Sequence, residues 1–204
     1  MFALAFGLSS FDATSQRRTP PLVRACGAIL TEPRPRRIPP MDALYLTNTS
    51  PHVADLVPET IPEELRRRRQ WVVWKLEGRE GNLTKVPYTP RTGRKAKSND
   101  LMTWGPFEEA VEALHEGGYL GLGFFFCSGD PYTGIDLDNV RDPETGALER
   151  WAAEIVEAAA AYAEISPSAR GIHLIVRGRV QARKAKGLEV YSQDRFFTVT
   201  GRTL

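Results

Sequence analysis

Two carboxylates stand two residues apart inside an apolar run, Gly-Ile-Asp-Leu-Asp-Asn-Val at residues 134–140. In an extended strand alternate side chains share a face, so Asp136 and Asp138 would project together while Ile135 and Leu137 pack into a core. Like charges at this spacing repel and are costly to bury, and a divalent cation is the usual remedy. The simpler alternative is a strand end with turn-forming Asp and Asn, which an isolated D-x-D pattern also fits.

Three later segments add polar groups in a fixed order. Residues 166–176 read as a Ser/Gly turn followed by a β-branched strand, with His173 near its start. Residues 188–191 predict a second strand that carries one acid, Glu189, and residues 195–201 predict a third. Taken singly, the histidine fits a core or turn position, and the glutamate fits a solvent-facing position. Together with the Asp pair they form a series in which each polar group lies on or beside a predicted strand.

This ordered series resembles the primase-polymerase domain of the archaeo-eukaryotic primase superfamily, in its phage and mobile-element branch. Residues 134–140 look like the D-x-D motif of that family, residues 168–173 like its Ser-and-His motif, and Glu189 like the acid of its third motif. The resemblance covers residues 61–204, with Ala169 at a position where a glycine often stands. Three upstream segments are also similar to the opening part of that branch: 70–75, 84–88 and 99–104.

The resemblance implies an α+β fold, an RRM-like primase catalytic core whose mainly antiparallel sheet is flanked by helices. The implied function is a template-dependent DNA primase and DNA polymerase of a phage or mobile element. Such an enzyme transfers nucleotides from nucleoside triphosphates by a two-metal mechanism. The implied partners are a single-stranded DNA template, dNTP or NTP, and a helicase domain or subunit.

Nucleotidyl transfer needs charge stabilisation on both the entering and the leaving oxygen, which two metal ions supply. Mg²⁺ or Mn²⁺ prefers oxygen ligands, so Asp136, Asp138 and Glu189 are the expected metal ligands and catalytic residues. Asp194 lies only five residues beyond Glu189 and is the alternative third acid. We prefer Glu189, because it fits the strand pattern, whereas Asp194 is typical of an exposed turn.

Nucleotide contacts are expected from the Ser-to-His segment. By resemblance, His173 would contact the incoming triphosphate, with Ser168 and the backbone amides of the turn nearby. Arg170 and Arg195 are candidates for further phosphate contacts, because a guanidinium group matches phosphate oxygens in a bidentate manner. The alternative for both is a surface arginine without a ligand.

Basic residues gather in two acid-free stretches, at 84–97 and 177–186. Either stretch fits a template phosphate backbone, and either also fits a solvated loop. We predict template contact for four residues of the first stretch: Lys85, Arg94, Lys95 and Lys97.

Other sequence features exclude several classes of protein. Cys26 and Cys127 are too few and too far apart for a disulfide framework or a zinc site, which favours a reducing cytoplasm. No run of about 18 apolar residues predicts a membrane span, and no phosphate-binding loop of an ATP-driven motor occurs.

Two functions other than a primase-polymerase remain open. One is a catalytically silent RRM-like module that binds nucleic acid or nucleotide for a replication complex. The other is a metal-dependent nuclease using the same acids.

The chain divides into three regions by composition. Residues 1–40 contain six Arg and six Pro but only two acids, and they predict little fixed structure. We interpret them as the result of a start codon assigned too far upstream, with Met41 as the true initiator. Residues 41–60 would then form a short segment before the folded part. Residues 61–204 form the predicted catalytic domain, and its end at Leu204 suggests a fragment or a truncated relative. Within it we expect helices at 106–116 and 149–162, separated by strands.

Overall fold

The computed structural model describes residues 56–79 and 82–204. The predictions for residues 1–40, for a start at Met41 and for most of the lead segment lie outside the described residues. The same holds for Cys26.

The described residues form an α+β fold. Their strands, in chain order, are β1 Trp71–Arg79, β2 Asn82–Tyr88, β3 Gly121–Phe126, β4 Tyr132–Leu137, β5 Tyr162–Ile165, β6 Ile172–Arg177, β7 Arg183–Ala185, β8 Leu188–Tyr191 and β9 Arg195–Val199. Their α-helices are α1 Glu63–Arg66, α2 Phe107–Glu116 and α3 Arg150–Ala159, and 3-10 turns lie at Pro58–Thr60 and Leu101–Thr103.

The strands form two sheets. Sheet 1 has the order β2-β1-β3-β9, and sheet 2 has the order β5-β6-β4-β8-β7. Every pairing between neighbouring strands is antiparallel. The prediction of an α+β fold with mainly antiparallel sheet is therefore confirmed, whereas the RRM-like topology stays a prediction.

Helix α2 begins and ends where its sequence signals predict. Pro106 occupies the N-cap position and Gly117, with φ of 95°, ends the helix. Its buried face, which includes Ala110 and Leu114, packs in the main core with strands of sheet 1. There Trp71 contacts Phe124 at a centroid distance of 5.2 Å, edge to face.

The prediction of a helix through residue 162 is wrong at its end. Helix α3 stops at Ala159, because Ala160 adopts a left-handed conformation with φ of 44°. The next residues form β5, which pairs with β6 in sheet 2. The alanine run favours a helix locally, but pairing in the sheet overrides that propensity at its end.

A second core cluster lies beneath sheet 2. Helix α3 contributes Ala152, and the sheet contributes Leu137, Ile172 and Leu174. Ile135 packs against the same cluster, so the predicted inward orientation of Ile135 and Leu137 is confirmed. Asp136, which lies between them on β4, therefore projects to the opposite face of sheet 2.

Gly134 allows sheet 1 to lie directly on that opposite face of β4. A Cβ atom at this position would lie 2.6 Å from ring atoms of both Phe126 and Phe197. These two rings belong to β3 and β9 and pack edge to face, 5.0 Å apart. This close approach leaves the polar groups further along β4 next to the β9 end of sheet 1.

Candidate active site

Five ionisable residues form a row across the five strands of sheet 2. Asp136 of β4 lies directly opposite His173 of β6 on one side and Glu189 of β8 on the other. His173 lies opposite Glu164 of β5, and Glu189 lies opposite Lys184 of β7. Directly opposite residues share a face, with Cβ atoms about 4.5–5.5 Å apart. Sequence positions that are far apart are thus brought together by strand register alone.

Asp136 lies in surroundings that disfavour its negative charge. Its side chain is 24% exposed, and burial is the main cause that raises the pKa of its carboxyl group. Asp138 and Glu189 raise this pKa further, while His173 and Lys85 act in the opposite direction. Asp138 is exposed in the turn after β4, and its backbone N–H donates to the carbonyl of Gly187. The two acids of the D-x-D pattern therefore lie close enough to repel each other.

This conflict predicts a gain in stability on removal of the Asp136 charge. Because the folded-state pKa lies above 3.8, ionised Asp136 is less favourable in the folded chain than in the unfolded chain. The destabilisation is full above the folded-state pKa and is relieved as the pH falls through it towards 3.8. We expect Asp136→Asn to raise the melting temperature at pH 7 and the difference to shrink as the pH approaches 3.8. Circular dichroism melts test this, with exposed Glu112→Gln as control, and a lower melting temperature at pH 7 would contradict it.

The two candidates for the third acid lie in different surroundings. Glu189 is half-buried on β8 opposite Asp136, and its carboxylate pairs with the Lys184 ammonium group. Asp194 is exposed in a turn with φ of 57°, where its backbone N–H donates to the Phe126 carbonyl. The exposed turn predicted for Asp194 is confirmed. The role of Glu189 as a metal ligand stays a prediction.

The oxygen-rich donor set suits a hard cation, although its side chains face other partners. Within residues 56–79 and 82–204, no three Asp, Glu, His or Cys side chains converge as a ready metal-binding group. The acids do not converge because each faces another side chain. Glu189 pairs with Lys184, and Asp136 lies 3.6 Å from His173 Nε2. The strand register already aligns Asp136 with Glu189. Binding of Mg²⁺ or Mn²⁺ would therefore need a change of side-chain partner and not of backbone.

His173 is held in a single orientation between Glu164 and Asp136. Its Nδ1 lies 2.9 Å from the Thr198 carbonyl oxygen, which can only accept, so Nδ1 carries a proton and donates. Its ring packs 5.1 Å from the Phe197 ring, and the side chain is 7% exposed. The other ring nitrogen, Nε2, therefore faces Asp136.

The turn before His173 holds Ser168 and a strained alanine. Ser168 is exposed, and its Oγ lies 3.0 Å from the Ser166 Oγ. Ala169 has φ of 60°, in the left-handed region that an alanine enters at a cost. The left-handed conformation explains why a glycine suits this position.

Replacing Ala169 by glycine should therefore stabilise the chain. We expect Ala169→Gly to raise the free energy of unfolding by about 0.5–1 kcal/mol, because the strain outweighs the entropy that glycine adds to the unfolded state. Urea unfolding measures the change. Ala153→Gly, at an exposed site in α3, should instead cost about 1 kcal/mol. Equal losses at both positions would contradict the strain at Ala169.

The two arginines predicted to contact phosphate are exposed at the surface. The Arg170 backbone N–H lies 3.4 Å from Ser168 Oγ, and the Arg195 guanidinium lies 4.7 Å from the centre of the Tyr191 ring. In the described part of the chain neither side chain forms an ion pair. Both groups are accessible to a phosphate, and their role stays a prediction.

The four residues predicted to contact template separate into two groups. Lys85 on β2 is an exposed residue whose Nζ lies 5.5 Å from the centre of the Trp74 ring, and partial desolvation of this ammonium group lowers its pKa. Asp136 and Asp138 oppose this lowering, so Lys85 lies within electrostatic reach of both acids. The other three residues lie on the exposed segment after β2: Arg94, Lys95 and Lys97. Of these, Lys95 pairs with Glu77 at 2.6 Å.

Several residues of the second basic stretch make internal contacts. Arg177 pairs with Glu64 at 2.8 Å, and Arg179 donates to the carbonyl oxygens of Ser128 and Asp130. These contacts favour a structural role for this part of the stretch over the alternative of a template-binding loop.

Glu164 belongs to the row but was not predicted from the sequence. It is 1% exposed in β5, directly opposite His173. The alternation of Tyr-Ala-Glu-Ile at 162–165 is the signal that could have revealed a strand with one inward acid. The preceding alanine run concealed it by extending the predicted helix.

Comparison with known proteins indicates the family to which the chain belongs. No protein-family model matches the chain. A curated protein of Nitratiruptor phage NrS-1, described as a DNA primase-polymerase, is 41% identical over an alignment of 145 residues that covers 67% of this chain. The chain spans only 20% of the length of that relative. Among the described residues, no helix combines the length and apolar character needed to cross a membrane. With its α+β fold and the ordered acids of sheet 2, the chain carries a primase-polymerase-like domain.

Proposed function

We propose that the chain is a template-dependent DNA primase-polymerase that transfers nucleotides from dNTP or NTP by a two-metal mechanism. The observation that carries the proposal is the register of sheet 2. It places Asp136 beside Glu189 and His173, and Asp138 follows in the next turn. The similarity to a phage protein described as a DNA primase-polymerase supports the same reaction.

Asp136, Asp138 and Glu189 are the residues that would hold Mg²⁺ or Mn²⁺. When bound, such ions stabilise negative charge on the attacking 3′ oxygen and on the leaving pyrophosphate. Lys85 adds a positive charge beside the acids, suited to the triphosphate. His173 Nε2 faces the same place and, when the imidazole carries a proton on both nitrogens, would donate a hydrogen bond to a phosphate oxygen.

Phosphate contacts from outside the row complete the proposed nucleotide site. Ser168, Arg170 and Arg195 are exposed and would reach the triphosphate from the surface. The exposed basic residues after β2 would follow the backbone of single-stranded DNA, a salt-dependent interaction. A helicase domain or subunit is a further proposed partner, which would supply the single-stranded template.

One observation favours the catalytically silent module as a second candidate. Glu189 pairs with Lys184 in the structure, and no three-ligand metal group is formed by the described residues. A module that only binds nucleic acid or nucleotide would keep this ion pair. The two candidates differ in whether nucleotides are incorporated.

Primer extension distinguishes the two candidates. The 204-residue chain is incubated with a primed single-stranded DNA template, labelled dNTP or NTP, and Mg²⁺ or Mn²⁺. Extension that depends on the template and on the metal is the expected result. Binding of DNA without any extension under all four combinations would favour the silent module.

Removal of the His173 side chain tests the nucleotide site. We expect His173→Ala to weaken nucleotide binding by about 10- to 150-fold, the range for a lost hydrogen bond to a charged group worth about 1.5–3 kcal/mol. Template affinity should stay unchanged. Calorimetry with Mg²⁺ measures the first, and fluorescence anisotropy of labelled DNA measures the second. The matched control is His115→Ala at the exposed end of α2, and equal nucleotide affinity in both variants would remove His173 from the site.

A further inference from the structure

Glu164 is a buried carboxylate whose oxygens are all engaged. Oε2 accepts from the Tyr162 hydroxyl at 2.6 Å, from the Thr200 backbone N–H at 3.0 Å and from the Gly201 backbone N–H at 2.9 Å. Oε1 lies 3.1 Å from the same Thr200 N–H. A buried charge is costly unless hydrogen bonds of this kind stabilise it. These bonds fasten β5 to the chain that leaves β9.

The same carboxylate also contacts His173. Glu164 Oε1 lies 3.4 Å from His173 Nδ1, which donates to the Thr198 carbonyl at 2.9 Å. Thr198 is two residues before Thr200, whose N–H is held by Glu164. Glu164 thus acts on the imidazole twice, by direct contact and by fixing the backbone that accepts its hydrogen bond.

Both acceptors lie on the Nδ1 side of the ring. A carbonyl oxygen and a carboxylate oxygen at this side favour a proton on Nδ1 whatever the charge of the imidazole. The ring then cannot flip without losing its hydrogen bond. Nε2 therefore stays on the side of Asp136, 3.6 Å from its Oδ1.

We propose that Glu164 is a positioning residue for His173, which fixes the imidazole so that Nε2 is presented to the triphosphate. The part that concerns the triphosphate rests on the proposed function. The part that concerns the orientation of the ring does not. Glu164 itself is separated from the reacting groups by His173.

A purely structural role for Glu164 predicts a different outcome, and the chain offers a matched control. The Thr200 hydroxyl donates to the Ile165 carbonyl at 2.8 Å and accepts from the Arg202 N–H at 3.1 Å. The first of these bonds joins the same two segments as Glu164 does, and neither bond reaches His173. Thr200→Val therefore weakens the junction while leaving the contact between Glu164 and the imidazole.

Nitrogen-15 NMR of the histidine side chains tests the orientation in the full chain without substrate, with His173→Ala used to assign the signals. We expect a slowly exchanging Nδ1 proton on His173 in the wild type and in Thr200→Val. In Glu164→Gln the signal should be shifted or lost to exchange. An unchanged signal in Glu164→Gln would overturn the proposal. So would a wild-type spectrum without this proton, which decides the matter even if the variant does not fold.

A double-mutant cycle tests the link to the nucleotide. We expect Glu164→Gln to weaken nucleotide binding about tenfold and Thr200→Val to change it by less than about twofold, with calorimetry as the measurement. Glu164→Gln should add nothing in a His173→Ala background, because residues that act through one another are not additive. Full additivity would overturn the link.

Failure of the proposed function would look different from failure of the positioning role. A wild-type chain that binds no nucleotide would contradict the proposed function, while the imidazole spectrum would still decide the orientation of His173.

Discussion

Simultaneous replacement of Asp136 and Asp138 by alanine is expected to abolish nucleotide incorporation while the fold stays intact. The two acids supply most of the negative charge that would hold the metal ions beside His173. Their loss should lower the rate by at least about 10³-fold, or about 4 kcal/mol of transition-state stabilisation. Primer extension under single-turnover conditions measures the rate.

The fold should tolerate this double replacement for reasons visible in the site. Asp138 is exposed, and Asp136 carries an unfavourable charge in the folded state. Circular dichroism should show a melting temperature no lower than that of the wild type. The matched control is Glu108→Ala with Glu112→Ala, which removes two exposed acids from α2 and causes the same change in net charge. A double Asp variant that extends primers at the normal rate would exclude both residues as metal ligands.

The faces of individual strands could be predicted from the sequence because they depend on local alternation. Ile135 and Leu137 lie in the core cluster beneath sheet 2, as a period of two requires. The same rule placed Glu189 on the face opposite Val190, and Val190 is buried. The residue types and their order were sufficient for this part of the site.

Strand register could not be predicted in the same way. The position of Asp136 between His173 and Glu189 depends on β6 and β8 pairing on either side of β4. These pairings join segments about 40 to 50 residues apart, and nothing in a local pattern specifies which residues meet. Asp136, His173 and Glu189 could therefore be identified from the sequence, but their contacts could not.

Lys85 and Glu164 show two different reasons for an incomplete prediction. Lys85 was grouped with basic neighbours by charge, but the hairpin of β1 and β2 turns it towards Trp74 and the acids. Glu164 lies two residues beyond the helix predicted at 149–162, and the alanine run with its high helix propensity conceals the strand that holds it. In both cases the local composition suggests one role for the residue, whereas a tertiary contact gives it a different role.

Replacement of Glu189 is expected to have the second largest effect. Glu189→Ala should lower nucleotide incorporation by about 10²- to 10³-fold, comparable to the loss of one group that stabilises transition-state charge. Asp194→Ala should change the rate by less than about twofold, because that side chain lies in an exposed turn. Both variants remove one carboxylate, five residues apart, so a general effect of net charge on DNA binding would be equal in the two.

The ion pair of Glu189 with Lys184 makes it possible to test whether Glu189 binds metal or serves only to pair with the lysine. Lys184→Ala frees the carboxylate, so binding of Mn²⁺, followed by electron paramagnetic resonance, should be as tight as in the wild type or tighter. Glu189→Ala should weaken Mn²⁺ binding, because it removes one of the three carboxylates proposed to hold the ion. If Asp194→Ala weakens binding and Glu189→Ala does not, the assignment of the third acid is reversed. If neither variant affects Mn²⁺ binding or incorporation, Glu189 serves only to pair with Lys184, and the silent module becomes the better explanation of the row.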